Sequence, residues 1–151
     1  MPGCVLHVVG EMLDPKAALS GLALQPYLVY HKGDRVFPHS KRIHKFGGFK
    51  CDVSSPSGEL DQETTEAIEF LTRFQHDLGT LRSASGVEAM SLIFGYDLRI
   101  DGEECVVQCD FLPPALLRLC GSLGIGITLS LYPPPGHLRL LRLRGKPENH
   151  G

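Results

Sequence analysis

Met90-Ser91-Leu92-Ile93-Phe94-Gly95-Tyr96-Asp97-Leu98-Arg99-Ile100, followed by Asp101-Gly102 and then Glu103-Glu104-Cys105-Val106-Val107-Gln108-Cys109, is the stretch on which the reading of the fold turns. Met90, Leu92, Phe94, Tyr96, Leu98 and Ile100 take alternate positions, the period-two signature of a strand with one buried face. Asp-Gly supplies two residues that tolerate positive φ, as a two-residue type I′ turn requires. The sequence therefore predicts a β-hairpin over residues 90–109. Its register sets Arg99 opposite Glu104, Leu98 opposite Cys105, Tyr96 opposite Val107 and Phe94 opposite Cys109. A slip of one residue would turn every apolar side chain to the wrong face. On this register Cys105 and Cys109 point into a dry interior, and Arg99 pairs with Glu104 on the wet face.

Outward from the hairpin, residues 5–9 read as a short central strand. Asp14-Pro15 opens a short helix, with Asp as N-cap and Pro at the first helical position, and Gly21 ends it. Residues 27–30 and 48–53 read as two more strands, separated by a basic loop, and Ser54-Ser55-Pro56-Ser57-Gly58 reads as a loop. A long helix follows over about 61–78. Ala67, Phe70, Leu71, Phe74 and Leu78 form its apolar stripe, Glu69 and Arg73 form an i,i+4 pair, and Gly79 stops it. Pro113-Pro114 opens a third helix carrying Leu116, Leu117 and Cys120 and closing near Gly121. Ile125, Ile127, Leu129 and Leu131 then alternate as an amphipathic strand. The order β-α-β-β-α-β-β-α-β predicts an α+β fold in two layers, a mixed or mainly antiparallel sheet packed by helices. One domain over residues 1–136 is expected, ended by Pro133-Pro134-Pro135-Gly136. The tail 137–151 reads as a loose edge strand or as unordered.

A chain of 151 residues with 42% hydrophobic content and a net charge of −2 can bury a true core, which excludes disordered and fibrous classes. No apolar run approaches the roughly 18 residues that span a bilayer. The first residues carry no basic segment, and their apolar stretch stops at Gly10, so no secretory signal is read there. Five cysteines, an odd number without a disulfide-framework spacing, point to reduced thiols in a cytoplasm.

No residue pattern specifies a reaction. There is no C-x₂-C pair, and His39, His44 and Cys51 have only generic spacing, so neither metal nor cofactor is assigned. Gly121-Ser122-Leu123-Gly124-Ile125-Gly126 leaves a helix and enters a strand, the reverse of a phosphate cradle. Asp97, Glu103, Glu104 and Asp110 are spread by the hairpin register over its outer face and turn. No G-x-S-x-G element is present. The strongest functional candidate is the basic loop, with Lys32, Arg35, Lys41, Arg42 and Lys45 against Asp34, joined by His44 and interleaved with Phe37, Phe46 and Phe49. Cations mixed with aromatics suit single-stranded nucleic acid. They equally suit a solvated loop whose phenylalanines tuck against the sheet edge.

Leu13-Asp14-Pro15, the segment 22–26, Lys32-Gly33-Asp34, Phe49-Lys50-Cys51, the Leu-rich middle helix and the closing segments Leu123-Gly124 and Leu131-Tyr132 occur together over residues 6–133. In this order of elements the chain resembles a family of small bacterial and phage proteins catalogued only as a domain of unknown function. The resemblance implies one α+β domain in a bacterial cytoplasm and supplies no activity and no catalytic residues. The leading expectation is a non-enzymatic module that binds another protein, as an immunity or accessory protein does. Lys32, Asp34, Arg35, Lys41, Arg42, His44 and Lys45 are its candidate binding residues. The alternatives are a nucleic-acid or anionic-ligand binder acting through loop 32–50, and an enzyme with a cleft beside the 90–109 hairpin.

Overall fold

The computed structural model describes residues 3–134, so Pro135, Gly136 and the tail 137–151 lie outside the described residues. Five strands and four helices run β1 (Val5–Gly10), α1 (Pro15–Leu19), β2 (Leu28–Tyr30), β3 (Gly47–Asp52), α2 (Leu60–Arg73), α3 (Gln75–Arg82), β4 (Ala89–Asp97), α4 (Pro114–Leu123), β5 (Gly126–Tyr132). They form one five-stranded sheet of order β2-β3-β1-β4-β5. All neighbours are antiparallel except β4 and β5, which run parallel and are joined through α4. The fold is thus α+β with a mixed sheet, as the sequence predicts.

The predicted hairpin does not form. β4 keeps the alternation, but its partners are distant in sequence. It pairs with β1 on one side (Leu6 opposite Leu92, Val8 opposite Met90) and with β5 on the other (Leu92 opposite Ile127, Phe94 opposite Leu129, Tyr96 opposite Leu131). Apolar side chains meet apolar side chains in both pairings, whereas residues 105–109 would have offered only thiols, valines and a glutamine. Asp101-Gly102 instead builds a compact loop in which Asp101 Oδ1 accepts hydrogen bonds from the amides of Glu103, Glu104 and Cys105 at 2.8, 2.9 and 2.9 Å. Cys105 is half-exposed and Cys109 exposed, so neither occupies the core. Arg99 pairs with Asp110 at 2.8 Å rather than with Glu104.

The helical stretch also differs from the expectation. Phe74, at φ −102 and ψ 17, breaks it into α2 and α3, and Gly79 lies inside α3 rather than stopping it. Among the described residues Glu69 and Arg73 form no ion pair, and the Arg73 guanidinium lies 5.1 Å above the Phe74 ring. A Cβ at Gly79 would enter open space. Gly79→Ala is therefore expected to stabilise the fold by about 0.5–1 kcal/mol, read as a higher denaturant midpoint at unchanged slope.

The ends of α1 and the start of α4 follow the sequence closely. Asp14 Oδ1 accepts from the amides of Lys16 and Ala17, Pro15 is the first helical residue, and Gly21 follows at φ 78. α4 closes not near Gly121, which lies inside it, but at Gly124, whose φ of 66 is the left-handed conformation that a helix end needs. Leu6, Val8, Phe49, Cys51, Met90, Leu92, Phe94 and Tyr96 share one sheet face and are buried against Leu60, Ala67, Leu71, Leu78, Leu81, Leu116, Cys120 and Leu123 of α2, α3 and α4. The opposite face carries the row Lys50, His7, Ser91 across β3, β1 and β4. Among the described residues no helix is long and apolar enough to cross a membrane.

Candidate functional site

The basic loop is a small finger between β2 and β3. Its base is a turn in which the Asp34 amide donates to the His31 carbonyl at 3.0 Å, with Gly33 at φ 94. The limbs then pair: the Gly33 amide to the His44 carbonyl at 2.9 Å, the His44 amide to the Asp34 carbonyl at 2.8 Å, and the Val36 amide to the Arg42 carbonyl at 3.0 Å. Backbone satisfaction of this kind holds a loop in one shape without a core of its own.

The finger is fastened to the open sheet face by aromatic side chains. The His44 ring stacks on Tyr30 with centroids 4.0 Å apart, and the Tyr30 hydroxyl lies 2.6 Å from His7 Nε2. Burial, together with the positive charge of Lys50 and the nearby His44, lowers the His7 pKa to about 4. The ring is neutral at pH 7, and its tautomer sets which of Nε2 and the phenol donates.

The predicted binding residues divide into three groups. Asp34 and His44 are structural: the Asp34 carboxylate accepts the His31 amide at 2.7 Å, and His44 is the stacking anchor. Lys32 is tied to Glu11 at 2.7 Å, which holds the Glu11 carboxyl below the usual carboxylate range. Arg35, Lys41, Arg42 and Lys45 have no acidic partner among the described residues. Between these cations stand Phe37, Ile43 and Phe46, exposed by 67%, 58% and 45%. Phe49 belongs to the core, so only two of the three phenylalanines are offered to solvent. A shallow hollow of about 410 Å³ beside the finger is lined by Lys32, Ile43, Lys45 and Phe46 among others.

A second feature lies where the hairpin was expected. A polar cleft of about 440 Å³ opens between the start of α2 and the loop 98–113, lined by Glu59, Asp61, Tyr96, Asp97, Arg99, Cys109 and Asp110 among others. Its wall is one network: Asp110 accepts from the Tyr96 hydroxyl at 3.0 Å, from Arg99 Nη2 at 2.8 Å and from Gln108 Nε2 at 3.0 Å. Burial, then the bond to Asp110, pushes the Tyr96 phenol up to about 12.

Exposure of Cys109 beside ionisable groups overturns the expectation of a dry thiol and raises the question of catalysis. Nucleophilic work needs a base in hydrogen-bond reach of the sulfur and a third group orienting that base. Asp110 is already engaged by three donors, and the cleft lining includes no histidine. Among the described residues no three His, Cys, Asp or Glu side chains cluster closely enough to hold a metal ion.

Glu63 is the residue that sequence reasoning passed over. It falls on the same helical stripe as Ala67 and Leu71, four residues apart each time, and is 0% exposed, with neither carboxyl oxygen hydrogen-bonded. Burial raises its pKa to about 7, a rise that the nearby Gly95 and Gly58 amides offset only in part.

A helix-covered mixed sheet with a fastened basic finger, and no assembled reaction centre among the described residues, defines a small α+β module. Residues 2–134 match the family described as domain of unknown function DUF4279, and the chain belongs to that family. No curated protein and no solved structure gives a significant match.

Proposed function

We propose that this protein is a non-enzymatic binding module whose finger docks on the acidic surface of a partner protein. The observation that carries the reading is the finger itself: four cations without acidic partners among the described residues, Arg35, Lys41, Arg42 and Lys45, interleaved with exposed Phe37, Ile43 and Phe46 on a loop of fixed shape. Arginine and aromatic side chains are the residues that dominate protein interfaces, and a loop already ordered loses little freedom on docking. Exposed Ile43, an aliphatic side chain with no flat face on which a base could stack, favours a protein partner over single-stranded nucleic acid. The reading extends to an immunity or accessory role in a bacterial cytoplasm, where the five free thiols stay reduced.

The test is purification from the host of the wild-type chain and of the double variant Lys41→Glu/Lys45→Glu, each followed by binding to the recovered partner. A stoichiometric complex is expected that weakens at least about tenfold in the double variant and loosens with salt. A wild-type chain that recovers no stoichiometric partner, or a complex indifferent to the charge reversal, overturns the reading. Salt-dependent binding of a labelled single-stranded oligonucleotide, lost in the same variant, would replace it with the nucleic-acid alternative.

A further inference from the structure

We propose that the outer edge of β5 is a self-association surface at which a second copy of this chain adds antiparallel, continuing the sheet across a two-fold axis. β5 is the terminal strand of the sheet and is seven residues long, none of them buried. One row of its backbone groups is engaged by β4, and the row on the other side has no backbone partner among the described residues. Proteins ordinarily protect such an edge with lysine, proline, a bulge or extreme shortness. β5, Gly126-Ile127-Thr128-Leu129-Ser130-Leu131-Tyr132, contains none of the first two and runs the full length of its pairing with β4. The opposite edge, β2, is only three residues long and leads straight into the finger.

The occupant follows from the pattern of β5 itself. A two-fold axis through Leu129 sets Leu129 against its own copy, Ile127 against Leu131, Thr128 against Ser130, and Gly126 against Tyr132. The first two pairings bring apolar side chains together on the helix-covered face. The third matches hydroxyls, and the fourth lays an aromatic ring over a glycine. Leu129 and Leu131 are 41% and 42% exposed in the single chain, so the pairing would remove from water apolar surface that its own helices leave uncovered. No charged residue lies in the strand, so no like charges oppose one another when two copies meet. An isologous contact of this kind closes on itself and stops at a dimer.

The full-length chain is examined by sedimentation equilibrium from about 1 to about 200 µM, a range that brackets dissociation constants of weak to moderate dimers. A rise from 16.5 kDa towards twice that mass is expected. Leu129→Lys and Leu129→Glu, each checked for an unchanged melting profile, are expected to weaken self-association at least about 100-fold, because each sets like charges face to face at the axis. An equimolar mixture of the two variants is expected to recover the dimer, which a merely damaged fold would not do. A wild-type chain that stays at one-chain mass throughout, a dimer untouched by both variants, or a mixture that fails to reassociate overturns the proposal.

Discussion

Gly10→Ala is expected to destabilise the protein by about 3 kcal/mol or more, a large share of the 5–15 kcal/mol that holds a small domain together. A Cβ on Gly10 would overlap the carbonyl oxygen of Gly86 and stand 2.9 Å from its carbonyl carbon. Both atoms belong to the backbone, so no rotamer change relieves the overlap. The turn before β4, with Gly86 at φ 85, would have to move away from β1, and it is tied there by the Glu88 amide bonded to the Val9 carbonyl at 3.0 Å. Urea unfolding of the variant beside wild type measures the loss. A midpoint within error of wild type would mean that β1 and the turn before β4 are not packed backbone to backbone. The contrast with Gly79→Ala, which adds the same methyl group where nothing meets it, makes the pair a test of position rather than of glycine chemistry.

Glu63→Gln is expected to stabilise the protein above neutral pH and to leave it little changed in acid. Burial holds the Glu63 carboxyl up at about 7 against an ordinary 4.5. It is faced by Cys4 just before β1, by Tyr96 and Asp97 from β4, by Glu66 one turn along α2, and by Cys120 of α4 through Cys4. None of these neighbours supplies a positive charge. A group whose folded pKa is raised favours the fold fully below its unfolded value and loses that contribution as pH climbs through the folded value. The Glu63 contribution therefore declines from about pH 4.5 and is gone above about pH 7, at about 1.4 kcal/mol for each pH unit, or about 3 kcal/mol in all at most.

His7 runs the other way in nearly the same window. Its folded pKa of about 4 lies below the ordinary 6.5, so its contribution is complete above pH 6.5 and is lost as pH falls through 4. The two groups oppose each other in the wild type and flatten its profile, whereas Glu63→Gln lets the His7 rise show. The quantity to measure is the stability difference between variant and wild type from pH 4 to pH 8.5. It should grow between about 4.5 and 7 and level off above. A difference independent of pH would mean that Glu63 titrates at its ordinary value and is in contact with water.

Much of this architecture could be read from local chemistry. The Asp14-Pro15 helix start, Gly21 beyond its end, the β4 alternation and the β5 alternation all obey rules that act within a few residues. The Asp101-Gly102 turn misled because the same dipeptide serves a type I′ hairpin and an Asp-capped loop, and only the competing partner decides. That partner, β5, lies beyond a whole helix, and nothing local to residues 90–109 announces it. The basic finger was legible as composition, but its fastening through His44, Tyr30 and His7 was not, since it joins residues from three separate segments. Glu63 was hidden by the rule that a charged residue on a helix faces water. Its spacing from Ala67 and Leu71 was the only local sign that it does not.

The position of β5 at the far side of the β4-α4-β5 unit has a consequence for biosynthesis. As the polypeptide leaves the ribosome, β1 and β4 can join as soon as residue 97 has emerged, yet the outer margin of β4 stays without a neighbour until α4 and β5 have also been translated. During that interval the nascent chain presents Leu92, Phe94 and Tyr96 on a raw strand border. Slow translation across α4 would lengthen this aggregation-prone interval, and prompt release of β5 would end it.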